Sequence, residues 1–128
     1  MKLSEYFENA KGVGILATAD GRGKVNAAIY GRPHFIDEQT VAFIAADRLT
    51  HANLQSNPNA IYIFKEKGRY DGRRLYITKL REEKDSQLIN EIRRKKYPEG
   101  EDKHKTGSKF LIYFHLDNVL PLIGDDKE

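Results

Sequence analysis

The sequence predicts a mainly β fold, an antiparallel barrel with appended helices. Three observations carry this: six short runs rich in β-branched and aromatic residues, turn signals between them at hairpin spacing, and only three segments with helical periodicity. A parallel α/β sheet would need a crossover helix between successive strands, and the chain does not supply them. With 128 residues, it has the length of one domain, 1–128, and no second core is expected.

The elements follow in order. Leu3, Tyr6, Phe7 and Ala10 recur at helical spacing behind a candidate Ser4 cap, and Gly12 can close this helix (3–11) in a left-handed conformation. Residues 13–19 (VGILATA) form a β run ended by Asp20-Gly21-Arg22-Gly23, whose Asp-Gly pair signals a hairpin. The second strand runs over 24–35, with Gly31 and Pro33 marking a bulge or an edge near its end. After the turn Asp37-Glu38-Gln39, residues 40–46 (TVAFIAA) are apolar without alternation, which fits burial on both faces, in a barrel or at a subunit interface.

The stretch 47–58 cannot continue as a strand. It reads as a short helix, with Asp47 or Arg48 ending the sheet and Asn57-Pro58 stopping the helix. Residues 60–65 and 74–80 supply two further strands, and Leu88, Ile89 and Ile92 among charged residues indicate a surface helix at about 85–96, before Pro98. A polar loop (99–108), a sixth strand (109–116) and a charged, frayed tail (124–128) complete the chain.

Composition removes several function classes. There is no cysteine, hence no disulfide, thiolate metal site or cysteine nucleophile. No apolar run approaches the roughly 20 residues of a membrane span, and MKLSEYFENAKG lacks the apolar stretch of a signal peptide, so a cytoplasmic protein without membrane association is expected. The net charge of +3 arises wholly after residue 64, from sixteen basic and thirteen acidic side chains, against six of each before it. This excess is interleaved with acids and accompanied by no docking module, so nucleic acid is not an expected partner. Arg93-Arg94-Lys95-Lys96 can interact with a helix C-terminal dipole, or bind an acidic partner or a phosphorylated substrate.

Motifs of common chemistries are absent from the sequence. Gly12-Val13-Gly14 precedes a strand, and Ala17 stands where the third glycine of a dinucleotide fingerprint belongs; there is no Walker loop. No two of His34, His51, His104 and His115 lie three to five residues apart, so no metal site is expected. None of Ser4, Ser56, Ser86 and Ser108 lies in a nucleophile elbow, and catalytic residues stay unassigned. The junction around 45–53 is different. A helix starting there points free N–H groups past the strand end, and Arg48 and Thr50 add donors suited to phosphate. The simpler alternative is that Asp47 or Thr50 caps an ordinary helix and Arg48 is solvated.

The leading helix with Gly-Val-Gly-Ile-Leu-Ala-Thr, the Asp-Gly hairpin, the strand from Lys24 to Tyr30, and above all the run from Arg48 to Pro58 with its Asn53-Leu54 and Asn57-Pro58 pairs carry a resemblance. The chain resembles the FMN-binding split barrels related to pyridoxamine 5′-phosphate oxidase over residues 3–80, and beyond Leu80 only in element order. The resemblance implies a six-stranded antiparallel split β-barrel, homodimeric, with FMN in each of two grooves between subunits. It implies cofactor-binding roles for Arg48 and Thr50 at the phosphate, with Ala46, Asp47, His51 and Asn53 at the same junction. Asn26, Ala27 and Ala28 would line the flavin ring, and Lys65 and Arg73 would reach in from the partner subunit. Lys65 or a main-chain amide of the second strand would face N1 and O2 of the ring.

The implied function is a small FMN-dependent oxidoreductase acting on a small-molecule substrate or electron donor. The segment that binds the vitamer in the true oxidases has no counterpart in the ending LPLIGDDKE, so pyridoxamine phosphate is not the expected substrate. Three alternatives keep the fold: a flavin carrier or electron-transfer protein without a substrate pocket, a haem-handling barrel using His51 or His115, and a structural dimer that has lost the flavin.

Overall fold

The computed structural model describes residues 2–96 and 107–125. Its elements are α1 (Leu3–Asn9), β1 (Gly12–Ala19), β2 (Val25–Tyr30), β3 (His34–Asp37), β4 (Thr40–Ala46), α2 (Leu49–Ser56), β5 (Asn59–Glu66), β6 (Gly72–Lys84), α3 (Gln87–Lys96) and β7 (Lys109–Pro121). Among the described residues the seven strands form one antiparallel sheet in the order β2-β1-β5-β6-β7-β4-β3. The mainly β expectation holds, and the strand count is corrected from six to seven.

The correction falls on 24–35, which is not one strand. Pro33 has no N–H to give a ladder, and Gly31-Arg32-Pro33 breaks the run into β2 and β3, at opposite edges of the sheet. Three linking residues can span only about 14 Å from Tyr30 to His34. The two edges are therefore drawn together without pairing, and the sheet rolls into a barrel split along one seam.

Helix α1 packs over this seam. Phe7 is 3% exposed and its ring meets those of Phe35, Tyr62 and Phe64. Arg32 donates to the carbonyls of Phe7, Glu8 and Ala10 at 2.9–3.1 Å, satisfying oxygens that a helix C-terminus leaves without partners. The expected caps are corrected. Lys2 occupies the N-cap position, and the Ser4 hydroxyl donates to Glu38 at 2.6 Å. Gly12 does not close the helix, which ends at Asn9 because Ala10 is extended. Instead Gly12 opens β1, where a Cβ would lie 2.0 Å from the Lys65 carbonyl oxygen. Its service is close backbone approach to β5.

The hairpin at Asp20 is as expected. The Asp20 carboxylate accepts from the Lys24 and Arg22 amides at 2.9 and 2.8 Å, which holds it below the usual carboxylate range, and Gly23 supplies a φ of +86°. Strand β4 is buried on both faces, with Val41, Phe43 and Ala45 in the barrel core and Ala42 against Ile89 and Ile92 of α3. Helix α3 starts at Gln87, two residues later than expected, because Asp85 adopts a φ of +52° and Ser86 Oγ accepts from the Leu88 amide at 3.2 Å. Strands β6 and β7 run to 13 residues each, past the apolar cores that marked them. Pro98, His104, most of the polar loop and the tail beyond 125 lie outside the described residues.

Candidate anion site at the head of helix α2

Strand β4 ends at Ala46, and the chain turns through Asp47 and Arg48 into α2. Arg48 is the N-cap, with extended backbone, and no side chain caps the helix. The expected caps, Asp47 or Thr50, are thus not used. The first intrahelical bond runs from the Ala52 amide to the Arg48 carbonyl at 3.0 Å, so the amides of Leu49, Thr50 and His51 precede the ladder at its positive end. Asp47 and Arg48 are exposed beside them. Aligned N–H groups with a guanidinium fork can hold a phosphate, and the chemistry of this donor set fits the phosphate of a flavin nucleotide.

The helix is fixed to the β1–β2 hairpin at three levels. Near its head, the Thr50 hydroxyl bonds the Tyr30 phenol; burial pushes that phenol up and Thr50 partly offsets it. At mid-helix Asn53 Nδ2 donates to Thr18 Oγ1 at 3.1 Å, and at the tail Asn57 Nδ2 reaches the Asp20 carbonyl at 3.4 Å. Asn53 is thus a buried tie between helix and sheet. Through Thr18 it is brought near Asn26, the cross-strand neighbour of Thr18.

Beneath the first turn lies a polar network that the sequence reading did not anticipate. His51 is 9% exposed and stacks on Phe110, with ring centroids 3.7 Å apart and planes 14° apart. Its Nε2 is 2.8 Å from Glu82 Oε2, and its Nδ1 is 3.6 Å from Asp47. Glu82 also accepts from Lys79 at 2.7 Å and Gln55 at 2.9 Å. Burial raises the Glu82 carboxyl, but the bonds from Lys79, His51 and Gln55 together outweigh it and bring it down to about 2. No sequence signal marks this cluster. Glu82 sits in the charged run 81–84, just past the register shift of β6 between Lys79 and Arg81, and meets His51 from a distant part of the chain.

A pH prediction follows from Glu82. A carboxyl whose folded value is depressed contributes stability that is complete above its unfolded value, near 4.5, and is lost as pH falls through about 2. Discounted for partial exposure, this is about 1–2 kcal/mol. Urea titrations of the wild type and Glu82→Gln should therefore differ at pH 6 and converge towards pH 2. A difference independent of pH would refute the ionised pairing.

The other expected site residues are distributed as follows. Asn26 and Ala28 face inward with Tyr30, whereas Ala27 faces outward with Val25 and Ile29. Because β2 is an edge strand, every second backbone amide on it points away from β1. Lys65 and Arg73 do not join the group within one chain. Arg73 lies nine residues before Glu82 on β6, about 30 Å along the strand, and Lys65 is paired with Gly72 beside it. There Arg73 stacks on Tyr6 at 4.3 Å and Lys65 lies over Tyr70 at 5.3 Å. Of the two histidines of the haem alternative, His51 spends Nε2 on Glu82 and His115 holds Asp117 through Nδ1 at 2.8 Å. On the outer face, a groove of about 360 Å³ is lined by Ala17, Ala19, Val25, Ile61, Tyr76 and Asp117 among others, within the size range of small-molecule sites.

Solved structures share this fold. An FMN-binding protein from Syntrophomonas wolfei superposes with a TM-score of 0.76 at 20% identity, over 96% of this chain and 85% of its own. An F420 reductase gives 0.73 at 14% identity, over 93% of this chain and 97% of its own. A pyridoxamine 5′-phosphate oxidase-like protein from Listeria innocua gives 0.64 at 17%, over 92% and 93%. No family model and no curated sequence matches the chain. The structure therefore defines a split barrel of the fold seen in FMN-binding and pyridoxamine 5′-phosphate oxidase-like proteins. No described helix is long and apolar enough to cross a membrane.

Proposed function

We propose that this chain is an FMN-binding flavoprotein, a small homodimeric oxidoreductase of the pyridoxamine 5′-phosphate oxidase-like kind. One observation carries the reading: an uncapped helix N-terminus with Arg48 at its N-cap, in a fold shared with an FMN-binding protein. Arg48 and the first amides of α2 hold the phosphate, with the Thr50 hydroxyl behind them. Asn26, Ala27 and Ala28 offer a thin edge strand along which a flat ring can lie, and Ala46 and Asp47 supply backbone at the corner. When bound, the isoalloxazine supplies the hydride and electron transfer. The protein binds it, orients it and keeps water from one of its faces.

A second copy of the chain completes the groove in this reading. Support comes from the outer face of β1, β2 and β5, where Val13, Val25 and Ile29 are 53, 79 and 72% exposed beside Ile15, Ala17, Ile61 and Ile63. Such a face is more apolar than an isolated barrel tolerates. Pairing of two copies through it would bring Lys65 and Arg73 of one chain to the site of the other. The substrate is a small molecule or an electron donor. The carrier reading, flavin without substrate, is separated by whether NAD(P)H reduces the bound flavin.

The phosphate reading is tested by titrating the protein with FMN and with riboflavin. FMN should bind at least tenfold more tightly, since only it carries the phosphate. Equal affinities would refute the role given to the head of α2.

A further inference from the structure

The groove on the outer face lies at the far end of α2 from the anion site. Asn57 and Asn59, which follow the helix, border it, and α2 itself is 8 residues long, about 12 Å. Its floor is set by the ladder. Tyr76 of β6 pairs with Ile61 of β5, and Ile61 with Ala17 of β1, so the three stand side by side on one face. Ala17 and Ala19 are small beside these neighbours, which leaves a hollow of about 360 Å³.

Asp117 enters this apolar wall through a shift in register. Tyr76 pairs with Asn118 but Ile77 with Leu116, so Asp117 is the extra residue of a bulge, a device that re-aims a side chain. Its carboxylate accepts from Thr78 Oγ1 at 2.5 Å and from His115 Nδ1 at 2.8 Å, one donor on each oxygen. Burial raises the carboxyl, but the bonds from His115 and Thr78 outweigh it and hold it below the usual carboxylate range. A carboxylate has about four acceptor positions, so two are left for a ligand. Among the described residues that line the groove Asp117 alone carries a charge, and it is negative in a chain of net charge +3.

We propose that this groove is a second binding site, for a small apolar monocation: an alkyl- or arylammonium without phosphate or carboxylate, whose N–H groups donate to Asp117 while its apolar body lies over Ala17, Ile61 and Tyr76. Charge complementarity selects the occupant. The lining offers one fixed negative charge and no cation to pair with an anion, and apolar walls strengthen an ion pair by excluding water. A neutral body of the same shape gains the apolar contact but not the pair. The site does not depend on the phosphate reading, since it stands at the other end of the helix. Val25 and Ile61 belong also to the face offered to a second copy, and the groove lies at the end of that face, where β2 and β5 begin.

The test is titration of the wild type and Asp117→Asn with benzylammonium, benzyl alcohol and benzoate, three bodies of similar shape and different charge, followed through backbone-amide NMR shifts. The expected result is that benzylammonium binds about tenfold more tightly than benzyl alcohol and that benzoate binds more weakly than either. The shifts should fall at Ala17, Asn59 and Tyr76, and the preference for the ammonium should disappear in Asp117→Asn. Equal binding of the ammonium and the alcohol by the wild type would overturn the proposal. So would the absence of binding by every probe, the outcome expected if a second copy fills the groove. If Asp117→Asn does not fold, the wild-type preference and the location of its shifts decide. None of these results bears on the head of α2, so the flavin reading stands or falls separately.

Discussion

Phe64→Ala lowers stability by about 4 kcal/mol and Tm by roughly 15 °C. Phe64 is 1% exposed, on the inner face of β5, and its ring meets Phe7 edge-on at 5.3 Å and Tyr6 at 6.3 Å. The cavity it leaves is bounded by the β5–β6 ladder on one side, which cannot collapse, and by α1 on the other, which can only lose contact. Since α1 covers the seam between β2 and β3, the loss is paid twice, in burial and in closure of the barrel. Thermal unfolding followed by far-UV circular dichroism checks this. A decrease of less than about 1 kcal/mol would mean that α1 is not part of the cooperative core.

Arg48→Ala weakens FMN binding roughly tenfold to a hundredfold and leaves riboflavin binding unchanged. A charge-assisted hydrogen bond contributes about 1.5–3 kcal/mol, at about 1.4 kcal/mol per decade of affinity. The exposure of Arg48 sets the expectation at the lower end. The remaining affinity comes from the α2 amides, which the substitution keeps. Because no described hydrogen bond of the Arg48 side chain supports the fold, Tm should move by no more than a degree or two. Fluorescence titration with both ligands makes the distinction. A parallel loss for FMN and riboflavin would mean that Arg48 shapes the ring pocket and not the phosphate site.

Much of this architecture was legible in the sequence where the signal is local. Asp20-Gly21 announced a hairpin because the Asp20 side chain and a glycine three positions on, Gly23, suffice to build it. Asn57-Pro58 bounded α2, and the unbroken apolar run 40–46 implied burial on two faces, now seen as the core on one side and α3 on the other. Signals failed where a distant residue decides. Ser4 has the composition of a cap, but Glu38, 34 residues away, takes its hydroxyl. Gly12 reads as a helix terminator, yet its lack of a side chain answers to Lys65 across the ladder. Gly31 and Pro33 marked an irregularity, while the strand break they cause depends on where the two halves find partners.

The site divides in the same way. The run from Ala46 to Asn53 could be placed at one junction because it is contiguous in the chain. The partners that fix it could not. Glu82 and Phe110 come from β6 and β7 and reach His51 by sheet register alone. Arg73 falls about 30 Å from Glu82 along β6, with Lys65 paired beside it on β5, so neither joins the head of α2 within one chain.

The central claim, a dimeric flavoprotein, is tested most directly by the visible absorption spectrum of the protein after incubation with FMN and desalting, read beside its mass by light scattering. The account predicts flavin bands retained at one FMN per chain on a species of twice the chain mass. A colourless protein would contradict it.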